Sequence, residues 1–123
     1  GFEISIEIKN FEMQLSRLLT PGSCGLDEVH RHEVRHIHAF YRAVDDAKTV
    51  TQAKWRNDWS KRPQLLGKSA AVSAQVQTFQ KEVADFLLDE ISWRSDAYNA
   101  KIDTIEEYSR LTGVCGGELS RLK

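Results

Sequence analysis

Residues 68–112 contain neither glycine nor proline, and apolar side chains recur along them at steps of three and four. Val72, Val76, Phe79, Val83, Phe86, Ile91, Tyr98, Ile102, Ile105 and Tyr108 thereby fall on one helix face. One helix over this run would be about 67 Å long, at about 1.5 Å per residue. That is longer than an ordinary compact domain of 123 residues, so such a helix needs something of similar length to lie against.

A second run free of glycine and proline supplies it. Residues 26–62 carry a stripe through Leu26, Val29, Val34, Ile37, Phe40, Val44, Ala47, Thr51, Trp55 and Trp59. The break between the runs, Pro63 to Gly67, is short, which makes the two helices antiparallel neighbours. Charge agrees with this pairing. Residues 30–68 hold nine basic against four acidic groups, and residues 81–107 hold three basic against eight acidic. Ahead of both runs, Ile4, Ile8, Phe11, Leu15 and Leu18 step at helical spacing, predicting a shorter helix over 3–19. The alternation of Phe2, Ile4, Ile6 and Ile8 with polar residues keeps a strand over 2–8 as the alternative. Thr20-Pro21-Gly22 to Gly25 then breaks the chain.

The expected fold is one all-α domain over 1–123: an elongated antiparallel hairpin, 26–62 and 68–112, with a short N-terminal helix. That helix cannot cover the whole hairpin. Trp55, Trp59, Val76 and Phe79 would stay exposed near the tip, so a homodimer is expected to complete the bundle there. Beside them Lys54, Arg56, Lys61 and Arg62 offer contacts to an anionic partner, either nucleic acid or membrane. A basic, dimerising hairpin is similar in architecture to membrane-curving BAR-type bundles.

All four histidines fall within residues 30–38. Glu28, His32 and His36 share one helix face at i, i+4 and i+8, a possible divalent-metal set. Glu33-Val34-Arg35-His36 also reads as Glu-x-x-His, the di-iron bundle motif, but no second copy follows. Arg31 and Arg35 beside these ligands argue against a cation, so the cluster is read as an exposed polar face and no cofactor is expected. Arg31-His32-Glu33-Val34-Arg35-His36 resembles the Arg-x4-6-His motif of HEPN-type ribonucleases, which are small all-α dimers. The resemblance covers six to eight residues. It implies that Arg31 would steady phosphate charge while His36 or His38 acts as acid and base. No nucleotide-binding glycine loop, Gly-x-Ser-x-Gly or Cys-x-x-Cys is present. A His-Glu-x-x-His zinc motif is likewise read as absent.

Cys24 and Cys115 lie at the same end of the expected hairpin. Two free thiols and a cytoplasmic chain are the expectation; a bridge would instead imply an oxidising compartment and secretion. The N-terminus, Gly1-Phe2-Glu3-Ile4, lacks a basic region before an apolar run, so no signal peptide is expected in the visible chain. The expected function is therefore interaction rather than catalysis: a self-associating scaffold that binds another protein.

Overall fold

A computed structural model describes residues 4–8, 13, 15–61 and 69–122, with the side chains of 59–61 and 69–70 left aside. The chain is all-α among these residues. The described residues form three helices, α1 (Cys24–Lys61), α2 (Ser69–Ala100) and α3 (Ile105–Gly117), followed by a short 3-10 turn at Leu119–Arg121. None of them is long and apolar enough to cross a membrane.

The starts of α1 and α3 have local causes. Thr20 to Gly22 form a turn in which Gly22 takes φ 76°, a conformation that disfavours any Cβ. Ser23 follows as N-cap, its hydroxyl accepting the Leu26 N–H at 3.1 Å. Asp27 stands in the first turn, where a negative charge meets the positive end of the helix dipole.

The long 68–112 run is not one helix. It ends at Ala100 and restarts at Ile105. No glycine or proline is needed for the break. Thr104 caps α3, accepting the Glu107 N–H at 3.0 Å, and Thr104-Ile105-Glu106-Glu107 spells the Thr-x-x-Glu of a capping box. The Asp103 N–H reaches back to the Asn99 carbonyl at 2.9 Å, closing the turn. Thr104→Ala is expected to lower stability by about 1 kcal/mol. Chemical denaturation against the parent chain measures it, and an unchanged midpoint would show that the cap carries no net energy.

The N-terminal helix expected over 3–19 is also corrected among the described residues of that span, outside which 3, 9–12 and 14 lie. Residues 4–8 and 15–16 are neither helix nor strand, and 17–18 form a turn. Ile4 and Leu19 are nonetheless buried. The apolar spacing reports a need for burial there, which irregular backbone meets without helical hydrogen bonds.

The Cα positions divide into two compact units. One comprises residues 1–6 and 42–94, the other 7–41 and 95–123. In the first unit Ala43 and Ala47 are fully buried, and Trp55 and Phe79 are almost so. The Trp55 ring meets Phe79 edge-on at 5.4 Å between centroids and Phe86 at 6.4 Å, a favoured aromatic geometry. In the second unit α1 and α3 run antiparallel. Cys24 is bridged to Cys115 with Cα atoms 5.7 Å apart, and the expectation of two free thiols is therefore corrected. The Gly25 N–H donates to Glu118 at 3.0 Å. A Cβ on Gly25 would stand 2.9 Å from that carboxylate, so a larger residue there would displace the Glu118 side chain.

Candidate metal centre in the second unit

The buried stripe of α1 continues into its histidines. His32 is only 5% exposed, in line with Ala39, Ala43 and Ala47 further along the helix. His30 and His38 are exposed, but the polar-face reading is corrected for His32, and what satisfies so buried an imidazole becomes the question.

Both of its nitrogens are engaged. His32 Nε2 lies 3.1 Å from Asp103 Oδ1, and Nδ1 lies 3.3 Å from Glu107 Oε1. His36 sits one turn on, with Nε2 2.9 Å from Asp103 Oδ1 and Nδ1 2.6 Å from Asn99 Oδ1. The two Nε2 atoms are 3.1 Å apart. Three donor atoms, His32 Nε2, His36 Nε2 and Asp103 Oδ1, thus close a triangle. A tetrahedral zinc ion, bonded at about 2.0–2.1 Å, separates its ligands by about 3.3 Å. The triangle needs to open by only a few tenths of an ångström to fit.

The outer groups fix which nitrogens carry protons. A carboxylate and an amide oxygen accept hydrogen bonds and cannot donate them. Glu107 therefore takes Nδ1–H of His32, and Asn99 takes Nδ1–H of His36. The Asn99 amide is itself oriented, because its NH2 donates to Ser95 Oγ at 3.3 Å. In neutral imidazoles this leaves both Nε2 lone pairs facing each other and the Asp103 carboxylate. Histidine ligands of metal ions are oriented by acceptors placed in this way.

Charge around the triangle is balanced by pairing. Arg31 stands 71% exposed and donates to Glu28 at 3.3 Å. Arg35 donates to Glu107, which Arg110 also meets at 2.9 Å. Arg110 further joins Glu28 at 3.0 Å. The arginines that argued against a cation are thus each engaged by carboxylates outside the donor triangle. Glu107 is held down at about 2, chiefly by the Arg110 hydrogen bond, against burial and with help from His32 and Arg35. Burial opposes the charge on Asp103, but the hydrogen bond from the Tyr108 hydroxyl and the neighbouring His36 and His32 outweigh it, setting its pKa below the ordinary carboxylate value. The same Asp103 hydrogen bond is the main cause that raises the Tyr108 hydroxyl.

A cavity of about 440 Å³ opens at the triangle, lined by Val29, His32, Glu33, His36, Asp103, Tyr108 and Leu111. Glu33 is near enough for its charge to act on Tyr108. Its place discloses what the sequence reading missed. His32-Glu33-Val34-Arg35-His36 is a His-Glu-x-x-His motif, hidden by framing the run as Glu-x-x-His from Glu33. In that motif two histidines at i, i+4 bind zinc and the glutamate serves as general base.

The expected sites fare unevenly. Of the metal set Glu28, His32 and His36, the two histidines converge, but Glu28 is taken by Arg31 and Arg110. Asp103 stands in its place. Arg31, His36 and His38 are not brought into one cluster: Arg31 turns to Glu28, His36 to Asp103, and His38 is exposed. Trp55 and Phe79 are buried within the chain itself, while Val76 is half-buried. Lys54 lies over the Trp55 ring at 4.9 Å and pairs with Asp58 at 3.4 Å, whereas Arg56 is exposed. The side chains of Trp59 and Lys61, and all of Arg62, lie outside the described residues. Compared with protein-family models, curated protein sequences and solved structures, the chain matches none.

Proposed function

We propose that the protein is a metal-dependent hydrolase whose divalent ion, best matched by zinc, is held by His32, His36 and Asp103. The observation that carries this reading is the convergence of three donor atoms within 3.1 Å, with both imidazole Nδ1 atoms turned to acceptors. Without a cation or an extra proton, two lone pairs and a carboxylate would face one another at repulsive range. Three protein ligands leave a fourth position open, as in catalytic rather than structural zinc sites.

The bound ion would supply Lewis acidity, lowering the pKa of a water and polarising a carbonyl. Glu33, on the cavity wall, takes the proton from the attacking water and returns it to the leaving group. Tyr108 donates its hydroxyl to Asp103 and so holds that carboxylate in place as a donor to the ion. Carboxyl derivatives, peptides foremost, are the substrates that this set serves. The Cys24–Cys115 bridge fits an oxidising compartment, the setting of secreted hydrolases. This reading takes precedence over scaffolding, because a converging donor set is chemically specific and an apolar stripe is not.

Titration calorimetry with zinc tests it. One equivalent is expected to bind, and Asp103→Asn is expected to weaken binding at least about tenfold, the lower end of what even outer-shell partners contribute. Asp96→Asn, on α2 and outside the donor triangle, serves as control. Equal affinity in the Asp103 and Asp96 variants would sink the proposed ligand set.

A further inference from the structure

Beyond its polar groups, the cavity has an aliphatic side. Val29 precedes His32 on α1 by three residues, and Leu111 follows Tyr108 on α3 by three. Both line the cavity and both are half-buried. The antiparallel register of the unit places them on one side of the triangle. His36 faces Asn99, His32 faces Asp103, Glu28 faces Arg110, and Cys24 faces Cys115. Moving from His32 toward the disulfide, the facing pair that lines the cavity is Val29 with Leu111. It stands about one helical turn, roughly 5 Å, from the donor triangle.

Polar surroundings of the triangle make this pair distinctive. Every other lining residue is a metal donor, a carboxylate or a phenol. The charged side chains nearest in register, Glu28 and Arg110, are paired with each other at 3.0 Å. A second ionic group placed between Val29 and Leu111 would lose water and gain no partner. An aliphatic one would lose only its hydration cost.

We infer that Val29 and Leu111 form a side-chain subsite that selects acyl groups bearing an aliphatic residue next to the carbonyl held at the metal. The inference rests on the metal-site reading above and adds the chemical class of what that site takes. A carbonyl at the triangle and a branched side chain one turn away are separated by about the distance from a peptide carbonyl to the end of a leucine.

Ligand binding tests this without catalysis. The zinc-loaded protein is titrated with acetohydroxamate, N-acetyl-leucine hydroxamate and N-acetyl-aspartate hydroxamate, whose hydroxamate groups seek the metal. The leucine compound is expected to bind about tenfold or more tightly than the aspartate compound, in the range a hydrophobic pocket discriminates. Leu111→Lys is expected to abolish or reverse that ratio. Because the readout is a ratio within one variant, a general loss of affinity cancels, and circular dichroism verifies that the variant is folded. Val29→Lys provides a second variant should Leu111→Lys fail to fold. Equal affinity for the two amino-acid compounds, or a preference that survives both substitutions, would overturn the inference. If zinc binds but acetohydroxamate does not, the open coordination position is absent and the subsite falls with it. If zinc does not bind, the failure lies with the metal site instead.

Discussion

Glu33→Gln is expected to lower hydrolysis of unstructured peptides by about 10²–10⁴-fold, the range that a positioned general base contributes, while zinc still binds. The substitution keeps the length and shape of the side chain and removes its ability to take a proton. Glu33 is not in the donor triangle, which consists of His32, His36 and Asp103, so metal affinity and catalysis separate in this variant. Mass spectrometry of peptide products over time reads the first quantity, and calorimetry reads the second. A Glu33→Gln protein as active as the parent would remove the glutamate from the chemistry. A parent chain that binds zinc and cleaves no peptide would make the ion structural.

Breaking the Cys24–Cys115 bridge is expected to cost about 4–5 kcal/mol in the chain-entropy model, because the bridge closes a loop spanning 91 residues of sequence separation. The effect should concentrate at the metal centre. α3 contains no buried residue, so apolar burial does little to hold it against α1. Beyond the bridge, it is tied by Glu28–Arg110, by Glu107 with His32 and Arg35, and by Gly25–Glu118. Several of these pairs are partly exposed and individually worth about 0–1 kcal/mol. The turn that carries Asp103 is continuous with the start of α3 through the Thr104 cap. Cys115→Ser should therefore lower the melting temperature and weaken zinc binding together, and zinc should restore part of the lost stability by mass action. Thermal unfolding with and without zinc reads both effects. A melting temperature equal to that of the parent would show that polar contacts alone fix α3.

How much of this was legible in advance differs by residue. Helical spacing marked both long runs, and α1 (Cys24–Lys61) lies within two residues of its expected span. The break before α3 was also legible in principle, since Thr104 and Glu107 have capping-box spacing. Attention to glycine and proline as the only breakers concealed it. The spacing of Ile4, Ile8, Leu15 and Leu18 misled: Ile4 is buried from irregular backbone, Ile8 and Leu15 are half-buried, and Leu18 is exposed. Trp55 and Phe79 were read as exposed at the tip, but Trp55 packs edge-on against Phe79 and Phe86 within the unit, and both Trp55 and Phe79 are buried. A stripe records which side chains seek cover; it does not record what supplies it.

The sequence by itself determined what is local. His32 and His36 share a face because four residues make about one helical turn, and Glu33 between them completes a motif readable from five letters. Tertiary structure alone decided the rest of the centre. Asp103 lies 71 and 67 positions from the two histidines and Glu107 lies 75 from His32, distances across which spacing carries no information. Glu28, on the right face by periodicity, was lost to Arg31 and Arg110 because charge pairing across helices outweighed proximity in sequence. The third candidate donor, the acceptors that orient the imidazoles and the aliphatic wall all arise where α3, starting at its own cap, folds back along α1.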